Sequence, residues 1–404
     1  MKTIVFIGSN KSGSSREAIK AAERLGFFTV LLTDRELFFE NRLDFPDVHQ
    51  MILTDLTNYG LLKSSIDDLQ AQGKVIEAVL SFVDPYVHVA AKLSKELGVT
   101  VVSPEPILKM EDKILTRELL KDHPVSPYFA KFGKGESLQM LIDKQVGKYP
   151  LIVKTPVSAG SKDVVLVKDS QQLARSINMF LEKGTEVLIE EYLDGPQYLF
   201  EVCVFNGKVH IIGVLEQKIT LFERFIVTGY CLLGEIDSAF YSNIHETVCM
   251  ILEKFNFKNG SCHLEMRLVN HQWKLIEINP RISGGAMNRI IEVGFGINLV
   301  EETIKIFLGL EPNLKKKTNR FVYAHYITSE ATGTLIKVTG KKRCSQLPGI
   351  DEVFIKPKKG KILHPPLSMG DRYGYVLASS NNKEESIRLA KDAAKEISFY
   401  IEPL

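Results

Sequence analysis

Two neighbouring stretches of the chain decide its fold: HLEMR at residues 263–267 and KLIEIN at residues 274–279. Both are strand-like, and a short turn separates them. Side chains two positions apart on a strand lie on one face. We therefore expect Glu265 to lie on the same strand face as His263 and Arg267, and Glu277 on the same face as Asn279. The pattern predicts two carboxylates and an amide oxygen that converge on paired strands.

Such oxygens are the ligand type that Mg²⁺ takes together with nucleotide phosphates. A solvated sheet face, where Glu and Asn are ordinary, is the alternative interpretation. The segment PRISGG at residues 280–285 follows directly and favours a site. An arginine such as Arg281 beside a divalent cation would stabilise the negative charge of a phosphoryl group during its transfer.

The upstream sequence contains elements that a nucleotide needs. Lys154 ends the apolar strand 151–153 and would place a positive charge in a cleft. The loop at 158–161 is small enough for its backbone N–H groups to approach phosphate oxygens. The segment EEYLDG at 190–195 ends a strand in a turn and can offer backbone groups to an adenine edge. Each of these elements is common by itself.

The pattern of apolar residues in the first hundred positions predicts a doubly wound α/β domain. Short strands that are apolar on all sides alternate with helices, as in a parallel sheet covered on both faces. The strands are expected at 3–7, 28–32 and 78–83, and the helices at 15–25 and 87–97. Gly26 is expected to close the first helix.

The loop at residues 8–13 is neither GxGxxG nor GxxxxGK[ST], so a turn followed by a helix cap at Ser14 or Ser15 is favoured over a dinucleotide site.

After Pro104 the pattern changes to α+β. A helix is expected at 111–121, a mainly antiparallel sheet through 201–278 with a hairpin turn at Asn206-Gly207, and one helix at 286–308. Strands and a helix at 383–396 predict a small C-terminal domain.

Composition excludes several classes of protein. The 404 residues carry a net charge of +2, which gives no general attraction to nucleic acid or membranes. The five cysteines form no CxxC pair, so reduced thiols and no structural zinc are expected. No apolar run reaches the roughly 18 residues of a membrane span, and the N-terminus lacks a signal-peptide pattern. The protein is expected to be cytoplasmic, and the lysines at 315–317 are expected to lie in a solvated linker.

The order of these motifs resembles the ATP-grasp superfamily. The matching residues are Asp112-Lys113 opening a helix, Val153-Lys154 with its small-residue loop, 190–195, Glu265, and Glu277 to Arg281. The start at residues 8–27 and the NPRISGG stretch are similar to bacterial L-amino acid ligases, which make dipeptides from two unprotected L-amino acids. The C-terminal segment resembles that of biotin-carboxylase-type members.

The resemblance implies a role for each matching position. Lys113 and Lys154 would contact ATP phosphates, under a mobile loop formed by Ser158, Ala159, Gly160 and Ser161. Adenine would be held by the Glu190 side chain and by the segment Glu191, Tyr192 and Leu193. Glu265, Glu277 and Asn279 would ligate Mg²⁺, for which Mn²⁺ can substitute. Arg281 would stabilise the acyl phosphate. The ribose-binding acid of many members falls at Gln197, which leaves nucleotide selectivity open.

The activity implied is ATP-dependent formation of an acyl phosphate from one amino acid, followed by attack of the amine of the second. His263 is a candidate general base, and a structural histidine is the alternative. A carboxylase that uses bicarbonate, a ligase of the D-alanine type and a non-catalytic nucleotide-binding regulator remain open alternatives.

The substrate pocket is expected to be bordered by the turn Asp84-Pro85, together with His263, Gly284 and Gly285. The turn follows a strand of the parallel sheet, whose carboxyl ends carry ligand contacts in doubly wound folds. The alternative is that Asp84 only caps the next helix, with Pro85 at its first position.

The expected architecture is therefore an α/β and α+β multidomain ATP-grasp fold. It comprises a doubly wound N-terminal domain (1–110), a small nucleotide-covering subdomain (111–190), a large subdomain with the metal site (191–318) and a small C-terminal α+β segment (319–404). The expected partners are ATP and two amino acids, with no nucleic acid or membrane, and a homodimer is left open.

Overall fold

The computed structural model describes residues 1–133, 135–157 and 163–404. Its N-terminal part is the predicted doubly wound domain, with a parallel sheet in the order β3-β2-β1-β4. The chain runs through β1 (Lys2–Ile7), α1 (Ser14–Arg24), β2 (Phe28–Thr33), α2 (Glu36–Glu40), β3 (Gln50–Leu53), α3 (Tyr59–Ala71), β4 (Val75–Leu80) and α4 (Val87–Glu96). Gly26, with φ at +85°, follows α1 as predicted.

The helix predicted at 111–121 is α6 (Lys113–Leu120), and a separate helix, α5 (Pro104–Glu111), precedes it. Asp112 between them has an extended backbone, and its carboxylate accepts the N–H groups of Ile114 and Leu115. A capping aspartate satisfies donors at the start of a helix. It therefore sets the first residue of α6 at Lys113.

A four-stranded antiparallel sheet forms the small subdomain, in the order β5-β8-β6-β7. Its elements are β5 (Phe129–Phe132), α7 (Leu138–Gln145), β6 (Leu151–Lys154), β7 (Val164–Val167), α8 (Ser170–Glu182) and β8 (Val187–Glu191). Leu173, Ile177 and Phe180 of α8 pack on this sheet in a hydrophobic core of its own. The domain limit predicted at 190–191 falls inside β8.

The large subdomain is built on a sheet of eight strands, in the order β13-β12-β9-β10-β11-β14-β18-β16. It contains β9 (Gln197–Phe205), β10 (Lys208–Leu221), β11 (Phe225–Leu232), α9 (Ser238–Phe255), β12 (Gly260–Val269), β13 (Gln272–Asn279), α10 (Met287–Phe295) and α11 (Leu299–Phe307). Asn206 and Gly207 both have positive φ in the β9–β10 hairpin, as predicted. The single helix predicted at 286–308 is wrong, because Gly296 ends α10 with φ at +69° and Asn298 caps α11.

The C-terminal segment continues this same sheet. It runs through β14 (Phe321–Ile327), β15 (Gly333–Thr339), α12 (Lys341–Ser345), β16 (Ile350–Ile355), β17 (Ile362–Leu363), β18 (Gly374–Ser380), α13 (Lys383–Ala394) and β19 (Ser398–Pro403). Strands β14, β18 and β16 pair beyond β11, whereas β17, β15 and β19 form a separate small sheet. The segment is therefore joined to the large subdomain by backbone hydrogen bonds.

Residues 311–319 form no helix or strand, as predicted for a linker. Each helix in the described ranges is too short or too polar to cross a lipid bilayer.

The N-terminal loop packs on the segment that follows β13. Gly13 precedes α1 with φ at +83°, and a Cβ atom built on it would lie 2.9 Å from the carbonyl oxygen of Gly285. The Ser14 hydroxyl donates to the Ser283 carbonyl at 2.7 Å. The predicted serine cap is wrong, because α1 has no side-chain cap and Ser14 instead holds this tertiary contact.

A pair of glycine variants tests that contact. Gly13→Ala and Gly26→Ala both place alanine at positive φ, and Gly13, with φ at 83° and ψ at −168°, lies in a backbone region that only glycine adopts readily. Gly13→Ala also collides with the backbone of Gly285, whereas nothing in the described part of the chain lies within 4 Å of a Cβ at Gly26. We expect Gly13→Ala to lower the thermal unfolding midpoint several degrees further than Gly26→Ala. Equal midpoints in the two variants would contradict close packing of Gly13 against Gly285.

Candidate functional site

A β-bulge in β13 sets the orientation of the predicted carboxylates. Glu265 of β12 lies opposite Glu277, but the next residue, Met266, lies opposite Leu275, so Ile276 is an extra residue. Trp273 and Leu275 are buried in the core. The extra residue reverses the alternation of side chains, as bulges do beside active sites. Glu277 consequently faces the cleft with Glu265.

The predicted metal ligands lie together in this cleft. Single ligand atoms from His263, Glu265 and Glu277 all lie within 4.8 Å of one another. The Asn279 side-chain amide donates to Glu277 Oε1 at 3.0 Å and contacts His263 Nε2 at 3.1 Å. This leaves the Asn279 carbonyl oxygen as the atom that a cation could bind. Two carboxylates and an amide oxygen fit a hard divalent cation.

Electrostatics agree with a site for positive charge. Burial, and then the charge of Glu277, raise the pKa of Glu265 to about 7. Gln197 and Gln217 donate to its two oxygens at 3.1 and 3.2 Å. Burial opposes ionisation of Glu277 too, but Lys113, whose ammonium lies 3.5 Å away, helps to lower its pKa to about 2. A cation between the two carboxylates would lower the pKa of Glu265.

His263 has the contacts of a positioning residue. Its Nδ1 contacts the backbone carbonyl of Arg281 at 2.8 Å, so Nδ1 carries the proton and Nε2 can accept from Asn279. Burial, and then the charge of Arg281, lower the pKa of His263 to about 4. Both ring nitrogens are engaged, which supports the structural interpretation over the general base.

A buried ion cluster lies at the base of the cleft. Glu190 pairs with Lys154 and with Arg117, each at 2.6 Å. Arg117 also donates to the carbonyl of the bulged Ile276 at 2.7 Å. Burial lowers the pKa of Lys154 to about 8, although the charge of Glu190 opposes this. The Glu190 carboxylate is thus engaged by two cations, and its predicted contact with adenine stays a prediction.

The end of β8 and the segment after it have backbone groups that no described residue engages. The Glu191 carboxylate, rather than its carbonyl oxygen, accepts the Tyr128 N–H group at 2.7 Å. The Leu193 carbonyl accepts from Arg267. Among the described residues, the Glu191 carbonyl oxygen and the Leu193 N–H group have no hydrogen-bond partner, and Tyr192 lines the same cleft. Their contact with adenine stays a prediction.

Arg281 is fixed by an ion pair with the N-terminal domain. Its guanidinium donates to both oxygens of the Asp84 carboxylate. The helix-cap interpretation of Asp84 is wrong, because α4 begins at Val87 and Tyr86 precedes it without a side-chain cap. Asp84 lines the cleft, whereas Pro85 is exposed and absent from the described lining. This does not support a substrate contact for Pro85.

The cleft encloses ≈ 290 Å³ and brings most of the predicted residues together. Its polar lining includes Asp84, Lys113, Lys154, Glu190, Glu191, Gln197, His263, Glu265, Glu277, Asn279, Arg281, Gly284 and Gly285. Apolar side chains of Ile152, Ile219, Phe225 and Val227 form another part of the wall. The predicted phosphate loop, Ser158, Ala159, Gly160 and Ser161, lies outside the described residues.

Several residues that support the site were not predicted from the sequence. Arg117 lies four positions after Lys113 on α6, and this helical spacing could have indicated a second cation on one face. Glu201 stands alone among apolar residues of β9, a pattern that suggests a buried titratable group. No sequence signal indicates Arg372, which reaches the cleft from the C-terminal segment.

Glu201 gives the site a pH-dependent stability. It is fully buried, and Oε1 accepts the backbone N–H of Ser283 at 3.0 Å. Burial raises its pKa from 4.5 to about 8, so the folded protein keeps a proton that the unfolded chain releases. Stability therefore falls as pH rises through this interval, by at most about 1.4 kcal/mol per pH unit.

Glu201→Gln should remove that dependence. We expect the wild-type protein to lose stability relative to Glu201→Gln as pH rises from 5 to 8. Only the wild type has a carboxyl group at position 201 that releases its proton on unfolding. Urea unfolding of both metal-free proteins across this range measures the difference. A difference that stays constant with pH would show that Glu201 is ionised in the folded state.

Comparison with known proteins agrees with the geometry. Models of the ATP-grasp N-terminal domain, the ATP-grasp domain and the L-amino acid ligase C-terminal domain 2 match residues 19–99, 147–289 and 325–402. The last match is more specific than the expected resemblance to biotin-carboxylase-type members.

Individual relatives cover most of the chain. The L-arginine-specific L-amino acid ligase of Bacillus subtilis is 21% identical over 357 residues, 85% of each chain. Dapdiamide A synthase of Enterobacter agglomerans is 23% identical over 401 residues, 94% of this chain and 92% of the relative. The fold is similar to that of L-amino acid ligase from Bacillus licheniformis, with a TM-score of 0.85, 20% identity, and coverage of 100% of this chain and 99% of that one. The chain is an ATP-grasp, ATP-dependent ligase and belongs to the L-amino acid ligase family.

Proposed function

We propose that this protein joins two unprotected L-amino acids into a dipeptide through an acyl phosphate, with release of ADP and phosphate. One observation carries the proposal. The segment that matches the L-amino acid ligase C-terminal domain contributes Met369 and Arg372 to the cleft that also contains Lys154, Glu277 and Arg281. The part of the chain most specific to the family therefore borders the proposed site of chemistry.

The cleft residues have distinct roles in the first step. The carboxylate of the first amino acid attacks the γ-phosphate, and Lys113 and Lys154 neutralise negative charge on the phosphates. A divalent cation held by Glu265, Glu277 and Asn279 would stabilise the same phosphate charge. The protein mainly positions the reactants and neutralises charge.

The second step depends on the fixed guanidinium of Arg281. The Asp84 carboxylate and the His263 contact to the Arg281 carbonyl hold this residue in place. Arg281 stabilises the acyl phosphate and then the tetrahedral intermediate, while the amine of the second amino acid attacks and phosphate leaves. Because Asp84 lies on the N-terminal domain, that domain orients the group that binds the intermediate.

A phosphate-release screen tests the proposal. The purified protein with ATP and Mg²⁺ is combined with every pair of the standard L-amino acids, with D-alanine, and with bicarbonate. We expect phosphate release that requires a particular pair of L-amino acids and yields a dipeptide by mass spectrometry. Release that requires bicarbonate, or release with D-alanine alone, would contradict the dipeptide ligase and identify the alternative.

Glu277→Gln tests the charge of the proposed metal site. The change keeps the shape of the side chain but removes a carboxylate, so turnover should fall at least about a hundredfold, the scale for loss of a charge-stabilising group. Phosphate release and the circular dichroism spectrum are measured together. Glu253→Gln, an exposed change on α9, is the matched control and should keep wild-type turnover. Near-normal turnover in Glu277→Gln would remove this residue from the proposed site.

A further inference from the structure

A second cavity of ≈ 330 Å³ adjoins the cleft, and Gly285, Met369 and Arg372 line both. This volume lies at the small end of ligand pockets. Arg16, which also lines the second cavity, is buried and paired with Asp47. We name this cavity the basic compartment, because four other cationic side chains line it: Lys11, Lys20, Lys356 and Arg372.

The acidic residues of the basic compartment are already engaged. Glu17 accepts from the Asn288 amide at 2.7 Å, and burial raises its pKa. Glu352 accepts from Arg289 at 3.0 Å and from the Tyr375 hydroxyl at 2.6 Å. Among the described residues, no carboxylate lies within 4.0 Å of the four named cations. The compartment therefore has an excess of positive charge that the protein itself does not pair.

Arg372 holds its guanidinium in a fixed orientation at the junction of the two cavities. Nε donates to the Met369 carbonyl at 3.2 Å and Nη1 to the Val227 carbonyl at 3.3 Å. The guanidinium lies 3.9 Å from the centre of the Tyr326 ring. Nη2 lies 3.7 Å from where a Cβ of Gly285 would stand, so the glycine leaves this nitrogen accessible. A fixed guanidinium loses little entropy when it binds a carboxylate.

We propose that the basic compartment binds the amine-donating substrate, and that this substrate is a dicarboxylic L-amino acid such as glutamate or aspartate. This inference rests on the proposed function. Arg372 binds one carboxylate at the junction, where the amine can reach the acyl phosphate near Arg281. The lysines attract the other carboxylate. An amino acid with a single carboxylate would leave most of the positive charge of the compartment unpaired.

Calorimetric titration measures this binding without any turnover. The protein is saturated with Mg²⁺ and a non-hydrolysable ATP analogue and is titrated with L-glutamate, with L-glutamine and with the α-amide of L-glutamic acid. Glutamate should bind at least about tenfold tighter than either amide, because each amide removes one charge-assisted hydrogen bond. Equal affinity for the three ligands, or no binding of glutamate, would overturn the proposal.

Variants assign the binding to the basic compartment. Arg372→Gln should weaken glutamate binding by about 10- to 100-fold. Lys356→Gln removes one charge of the compartment, together with the hydrogen bond that the exposed Lys356 ammonium donates to the Gly370 carbonyl at 2.6 Å. It tests the compartment even if Arg372→Gln is unstable. It should weaken glutamate binding several-fold. Lys358→Gln, exposed and outside the lining, is the matched control.

The outcomes separate this inference from the proposed function. Wild-type binding of glutamate in Lys356→Gln and Arg372→Gln alike would overturn the basic compartment as its site. Glutamate binding that follows the expected pattern, without phosphate release from any amino-acid pair, would support the site and contradict the ligase. Phosphate release from pairs in which acidic amino acids are poor amine donors would contradict only the inference.

Discussion

The site depends on one irregularity in the pairing of β12 with β13. Regular alternation from Trp273 and Leu275 would turn Glu277 into the hydrophobic core, where an unpaired carboxylate is strongly unfavourable. The extra residue at Ile276 reverses the alternation and brings Glu277 opposite Glu265 in the cleft. It also frees the Ile276 carbonyl, which Arg117 uses. The bulge thus links the carboxylate pair to the cation cluster below it.

Balanced charge keeps this buried site stable. A buried charge is tolerated when it is paired and hydrogen-bonded, and removing one partner typically costs about 3–5 kcal/mol. Glu190 lies between Lys154 and Arg117, and Asp84 pairs with Arg281. Glu265 is the member whose raised pKa indicates incomplete compensation by the protein. A cation beside Glu265 and Glu277 would lower the pKa of Glu265 and stabilise its charged form.

Three parts of the chain meet at the segment 281–285. The N-terminal domain contacts it through Asp84 and through the α1 loop, and β9 contacts it through Glu201. The C-terminal segment contributes Arg372 beside Gly285. Since these contacts come from separate elements, a change in any of them can alter the position of Arg281. The proposed choice of substrate is thus a property of the assembled protein and of no single domain.

The sequence by itself determined the parallel N-terminal sheet, the antiparallel sheet from residue 201, and the shared strand face of Glu277 and Asn279. These follow from local rules, because the period of apolar residues and the spacing along a strand act over a few residues. The tertiary structure alone decided, through the bulge at Ile276, that Glu277 meets Glu265 in the cleft. It also decided the role of Asp84 and the contacts of His263. It also decided that the C-terminal strands extend the large sheet and place Arg372 in the cleft. Such contacts join residues far apart in the chain, and their energies depend on burial and distance, which short-range patterns do not contain.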